Sequence, residues 1–266
     1  MVRMKRVVKA VMPPVLWSVA SRLRGSRGVS FQGDYPSCEA AERAAGGYDA
    51  PAILEKVRQA ALKVKRGEAV FERDSVFFCH EEYRWPTLAC LLRIAAENGG
   101  RLRVVDFGGS LGSFWFQHRK HLLGLKDVRW TVVEQPHYVA CGREEFQDET
   151  LRFAGTLEEA GPADAIFCSS VLQYLPDPYE WLKRLAESDI RWLLLDRTPF
   201  IEADRDRLTV QHVPPSIYPA SYPAWFFSRR RFGEALQLAG YIERVRFAAE
   251  DDVGIGRFEG VLLERV

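Results

Sequence analysis

The sequence predicts a Rossmann-like α/β fold with an N-terminal helical cap. From Arg101 onward short apolar runs alternate with amphipathic helices, a glycine turn follows the first run, and an acid closes the second. Strands are expected at 102–107, 129–134, 151–153, 163–168 and 191–196, and Asp177 with Pro178 opens a helix whose Trp181, Leu182 and Leu185 face inward. A further helix over 228–238 ends before Gly240, and strands at 241–247 and 258–264 complete the pattern. Ahead of the first strand, 37–98 reads as helical. Ser37 caps a short helix, Pro51 opens a longer one reaching Lys65, and Pro86 and Gly99 bracket a third. The expected organisation is a basic, partly apolar segment at 1–30, a helical cap at 31–100 and an α/β domain at 101–266.

Composition narrows the function classes. The chain of 266 residues carries 37 basic and 36 acidic side chains, so a net charge of +1 gives no global reason to expect nucleic acid. Five cysteines, widely spaced and without a C-x-x-C pair, argue against a disulfide framework or structural zinc and suit a reducing cytoplasm. Residues 1–28 hold seven basic side chains and an apolar stretch interrupted by Pro13 and Pro14. The stretch is too short to span a bilayer, and the expectation is peripheral contact with an anionic inner membrane face or a basic tail.

The chemistry centres on Asp106-Phe107-Gly108-Gly109-Ser110-Leu111-Gly112, a buried strand turning through glycines into a helix. The exposed amides of a helix start attract an anion, and glycines allow close backbone approach. The dinucleotide fingerprint fails, since Ser110 and Ser113 occupy its second and third glycine places. An acid followed by x-G-x-G-x-G, with Ser110 for the middle glycine, is the form used for S-adenosyl-L-methionine. The Asp106 carboxylate suits an ammonium group and repels a pyrophosphate. Glu134, at the end of the second strand, stands where a ribose-binding acid belongs, about 20 residues on, with Gln135 shaping the loop beside the adenine. After the fourth strand, Ser169 and Ser170 offer hydroxyl and amide contacts and Leu172 or Tyr174 an apolar wall.

The chain resembles a bacterial methyltransferase family, named for a Leptospira member, that accompanies surface-polysaccharide and lipopolysaccharide biosynthesis. The resemblance rests on Gly46-Gly47-Tyr48-Asp49, Glu72-Arg73-Asp74-Ser75, the Asp106 turn, Trp130-Thr131-Val132-Val133-Glu134-Gln135-Pro136, Ser169-Ser170-Val171-Leu172-Gln173-Tyr174, Asp196-Arg197-Thr198-Pro199-Phe200 and Ala220-Ser221-Tyr222-Pro223-Ala224-Trp225. It implies a class I methyltransferase sheet, S-adenosyl-L-methionine as cofactor, and a small-molecule or glycan acceptor methylated at oxygen in the cytoplasm.

The acceptor is expected between the loop after the fourth strand and residues 196–225, a proline-rich stretch read as a loop covering the pocket. His212 is its only histidine and is nominated as general base, with Tyr222 as second choice. His118 and His121 read as a solvated helix face, His80-Glu81-Glu82 lacks a partner cluster, and no metal is assigned. Arg229-Arg230-Arg231 reads as a charged surface turn or an anion contact. Two other functions stay open: a nucleotide-dependent oxidoreductase or epimerase on the same architecture, and a non-catalytic methyltransferase-like binding subunit.

Overall fold

The computed structural model describes residues 29–47, 50–73, 75–215, 217–252 and 254–266; the basic segment expected to meet a membrane lies outside the described residues. The chain begins with β1 (Ser30–Gln32), α1 (Cys38–Ala44), α2 (Ala50–Lys65), β2 (Phe71–Arg73), β3 (Val76–Phe78) and α3 (Trp85–Glu97). It continues through β4 (Arg101–Phe107), α4 (Ser113–Leu122), β5 (Asp127–Val133), α5 (Pro136–Glu145), β6 (Leu151–Ala154), α6 (Leu157–Ala160), β7 (Ala165–Ser169) and a single 3-10 turn at Leu172–Tyr174. Then follow α7 (Pro178–Glu187), β8 (Trp192–Ile201), β9 (Arg207–Val213), β10 (Ala220–Ser228), α8 (Arg229–Leu238), β11 (Tyr241–Asp252) and β12 (Arg257–Arg265).

Local chemistry sets the boundaries. The Ser37 hydroxyl accepts from the Ala40 amide at the start of α1, and the Ser228 hydroxyl accepts from Arg231 at the start of α8. Proline stands in the first turn of α3, α5 and α7, where its missing N–H costs nothing.

Strands β6, β5, β4, β7 and β8 form a parallel sheet in that spatial order, and antiparallel β12 lies between β8 and β11. Buried side chains cover both faces. Leu91, Ile94, Trp115 and Trp130 lie in one core cluster, and Leu182, Leu185, Leu195 and Phe232 in the other. This is the Rossmann-like, mostly parallel sheet that the sequence predicts.

Two expectations need correction, and the charged-surface reading of the arginines at 229–231 holds. The stretch 196–225 is not an irregular loop. Long strand β8 passes beyond the sheet to pair in parallel with β10 at Phe200 and Ile201, and β9 and β10 form an antiparallel hairpin whose outer edge takes up β1. Of the prolines that suggested a loop, Pro199 and Pro223 are accommodated within β8 and β10, and Pro214, Pro215 and Pro219 fall in the connection between β9 and β10. His118 is not solvated. It is fully buried, and burial pushes its pKa down to about 4. Neutral, it donates from Nδ1 to the Phe114 carbonyl and accepts the Arg84 amide at Nε2. The three arginines of α8 all meet acids: Arg229 pairs with Glu259 and Glu202, Arg230 with Glu234, and Arg231 with Asp206.

The residue that His118 holds, Arg84, reaches from the segment before α3 into the middle of the sheet. Its guanidinium forms a bidentate pair with Asp196, 2.7 Å from Nε to Oδ2 and 2.9 Å from Nη2 to Oδ1. Asp196 is fully buried, so this pairing compensates a charge that would cost several kcal/mol if left alone.

Candidate active site at the carboxyl ends of the strands

Beyond the carboxyl ends of β4, β5, β7 and β8 lies a cavity of about 1050 Å³. Open α/β sheets bind ligands at this edge. At the end of β4, Asp106 is buried, and its Oδ2 accepts a 2.8 Å hydrogen bond from the Trp130 indole. The indole is fixed in turn by stacking on Phe114, 5.6 Å between centroids, and Phe114 stacks on His118 at 3.9 Å. The glycines fit around this carboxyl. A Cβ on Gly109 would fall 2.4 Å from the Asp106 carboxyl carbon, and Gly108 has φ +73 with Val171 where a side chain would go.

Glu134 closes the same turn from β5. One carboxylate oxygen accepts from the Ser110 amide at 3.2 Å and the other from the Gln135 amide at 2.8 Å. Each oxygen retains a lone pair, so two vicinal hydroxyls can still be bound. Burial raises the pKa of Glu134, against which these backbone bonds act. Asp106 is raised further, to about 7, by burial first and by the nearby Glu134 charge, with the Trp130 bond opposing. A carboxyl in that state is poised to ionise when a cation arrives.

Of the predicted cofactor residues, Asp106, Gly108, Gly109, Ser110, Glu134, Gln135, Ser169 and Ser170 all line the cavity. Two do not. Gly112 is the left-handed N-cap of α4 at φ 86, and Leu172 is buried in the core. The catalytic nominees also separate. Tyr222 lines the cavity, whereas His212 lies between Gln211 and Val213, which line it, and is not itself a lining residue.

Sequence reasoning named Tyr174, Tyr222 and Trp225 and missed Gln211, the amide that links the two tyrosines. The Tyr174 hydroxyl donates to Gln211 Oε1 at 2.9 Å, Gln211 Nε2 donates to the Tyr222 hydroxyl at 3.0 Å, and the two tyrosine rings meet edge to face. With Trp225 they form an aromatic and amide wall. Glu72 and Arg73, at the end of β2, reach the cofactor side, where Ser113 donates to Glu72. Gln173 was visible inside its motif. Arg84 gave no local signal, because its partner lies 112 residues away.

The fold has solved relatives. CalS10, an amino pentose methyltransferase from Micromonospora echinaspora involved in calicheamicin biosynthesis and solved with S-adenosylmethionine, matches with a TM-score of 0.50 and 13% identity over 79% of this chain and 97% of its own. Magnesium protoporphyrin IX methyltransferase from Synechocystis PCC 6803 matches with a TM-score of 0.49 and 12% identity over 83% and 99%. No protein-family model and no curated protein matches the chain. The comparisons therefore support the class I S-adenosylmethionine-dependent methyltransferase fold and stop short of the narrower polysaccharide family that the motifs resemble.

The raised pKa of Asp106 has a sign that can be tested. Its carboxyl is more easily ionised in the unfolded chain, so its contribution to stability is present below about pH 4 and is lost as pH rises to 7. Asp106→Asn keeps an acceptor for Trp130 and cannot ionise. Its stability relative to wild type, followed by chemical denaturation, should rise by up to roughly 4 kcal/mol between pH 4 and 8. A pH-independent difference would show that Asp106 ionises normally.

Proposed function

We propose that the protein is an S-adenosyl-L-methionine-dependent methyltransferase that transfers a methyl group to an oxygen of a sugar or surface-glycan precursor. The observation that carries the reading is the buried Asp106 carboxyl beneath the glycine turn, with Glu134 bridging the same turn. An ammonium group satisfies Asp106, ribose hydroxyls satisfy Glu134, and a pyrophosphate would be repelled by both. A nicotinamide dinucleotide offers ribose hydroxyls to Glu134 but no ammonium to Asp106.

When bound, the cofactor supplies an electrophilic methyl group on a sulfonium. Asp106 holds the ammonium, Glu134 accepts from the ribose, and Gly108 and Gly109 let backbone approach the ligand. The wall of Tyr174, Gln211, Tyr222 and Trp225 supports a sugar acceptor, since aromatic faces pack on sugar C–H groups and the amide and hydroxyls match its oxygens. CalS10, which shares the fold, is itself an amino pentose methyltransferase. Tyr222 is the proposed general base toward the sugar hydroxyl, because it lines the cavity and its oxygen is held in place by the N–H that Gln211 donates to it. His212, whose two strand neighbours line the cavity without it, is left out of the mechanism.

S-adenosylhomocysteine should raise the melting temperature and NAD should not. Glu134→Ala should weaken S-adenosylhomocysteine by about 1.5 to 3 kcal/mol for each charge-assisted hydrogen bond lost. Equal stabilisation by NAD, or unchanged affinity in the variant, would overturn the cofactor assignment. In a turnover screen against sugar nucleotides, Tyr222→Phe should cut the rate roughly 100-fold while His212→Ala stays near wild type. The reverse ranking would return the proton to His212.

A further inference from the structure

Beside Ser110 in the glycine turn, at φ 56, two more cavity-lining residues hold left-handed backbone without being glycine: Ser170, just past β7, at φ 57, and Arg197, inside β8, at φ 51. Such conformations cost of order 1–3 kcal/mol each and persist where the surroundings impose them. The Ser170 amide donates to the Asp196 carbonyl at 2.9 Å. Asp196 and Arg197 form a bulge, since two steps along β12, from Glu259 to Val261, oppose three along β8, from Thr198 back to Leu195.

Gln173 ties these residues together. It is 1% exposed, and its Nε2 donates to Ser170 Oγ at 2.7 Å and to the Arg197 carbonyl at 3.3 Å. A carbonyl only accepts, so the amide nitrogen must face it and the orientation of Gln173 is fixed. The Ser170 oxygen therefore accepts from Gln173, and the Ser170 proton is left to be donated. Asp106 and Phe167 are paired across adjacent strands, β4 and β7, which places the Ser170 turn one strand away from the Asp106 turn. One turn offers a carboxylate and the other a hydroxyl donor. That pair complements an α-amino acid, ammonium on Asp106 and carboxylate on Ser170.

We infer that Gln173 is a positioning residue that fixes Ser170 as a hydrogen-bond donor to the carboxylate of the cofactor's amino-acid end. The inference rests on the reading that S-adenosylmethionine binds in this cavity.

Calorimetry with S-adenosylhomocysteine and with 5′-methylthioadenosine, which lacks the amino-acid end, separates this role from a general one. Gln173→Met and Ser170→Ala should each weaken S-adenosylhomocysteine about tenfold, the size of one good hydrogen bond. The double variant should lose little more than either single one, and methylthioadenosine should bind all three like wild type. Unchanged S-adenosylhomocysteine affinity in Ser170→Ala, or an equal loss of methylthioadenosine affinity, would overturn the inference. Wild type failing to bind S-adenosylhomocysteine would instead overturn the cofactor reading beneath it.

Discussion

The contact between the Asp106 carboxyl and the Trp130 indole organises the functional end of this molecule. A carboxyl buried at the end of the central strand needs a donor, and Trp130 on the neighbouring strand supplies one from within the core. The space above the carboxyl is then too small for any side chain at position 109. Backbone amides are left facing the ligand, and Glu134 secures the turn from its far side through Ser110. The arrangement is unfavourable for an empty site at neutral pH, because two carboxyls share one small region. A ligand with an ammonium group relieves that tension, so binding and ionisation are coupled.

A second constraint acts at β8. This strand belongs to the parallel sheet at its start and to the β9–β10 hairpin at its end, and the bulge at Asp196 and Arg197 marks the change. The bulge lets Asp196 turn into the core toward Arg84 while Arg197 faces the cavity. One strand thus joins the parallel sheet to the hairpin that carries Gln211, Tyr222 and Trp225. The residues before α3 reinforce the junction, since Arg84 reaches it from outside the sheet with its amide fixed on His118.

The parallel sheet, the glycine turn and the acid at position 134 were legible because each is local: apolar runs, punctuation and spacing along the chain. The hairpin at 207–228 was misread for a physical reason. Proline is usually excluded from strands, yet strands that pair along only part of their length tolerate Pro199 and Pro223. His118 looked solvated because Arg119 and Lys120 flank it, whereas its helix turns it toward Phe114 and the core. His212 was chosen by residue type, and the alternation of β9 gives the cavity to Gln211 and Val213 instead. The Arg84–Asp196 pair joins residues far apart in sequence, and composition carries no trace of it.

If Asp106 is protonated in the free protein at mildly acidic pH and ionises against the ligand's ammonium, binding must expel a proton. Calorimetric titration with S-adenosylhomocysteine at pH 6, in two buffers of different ionisation enthalpy, counts that proton directly. The structure predicts release approaching one proton per molecule bound in the wild type and none in Asp106→Asn. Binding without proton release in the wild type would contradict a cation held by Asp106, and with it the role assigned to the glycine turn.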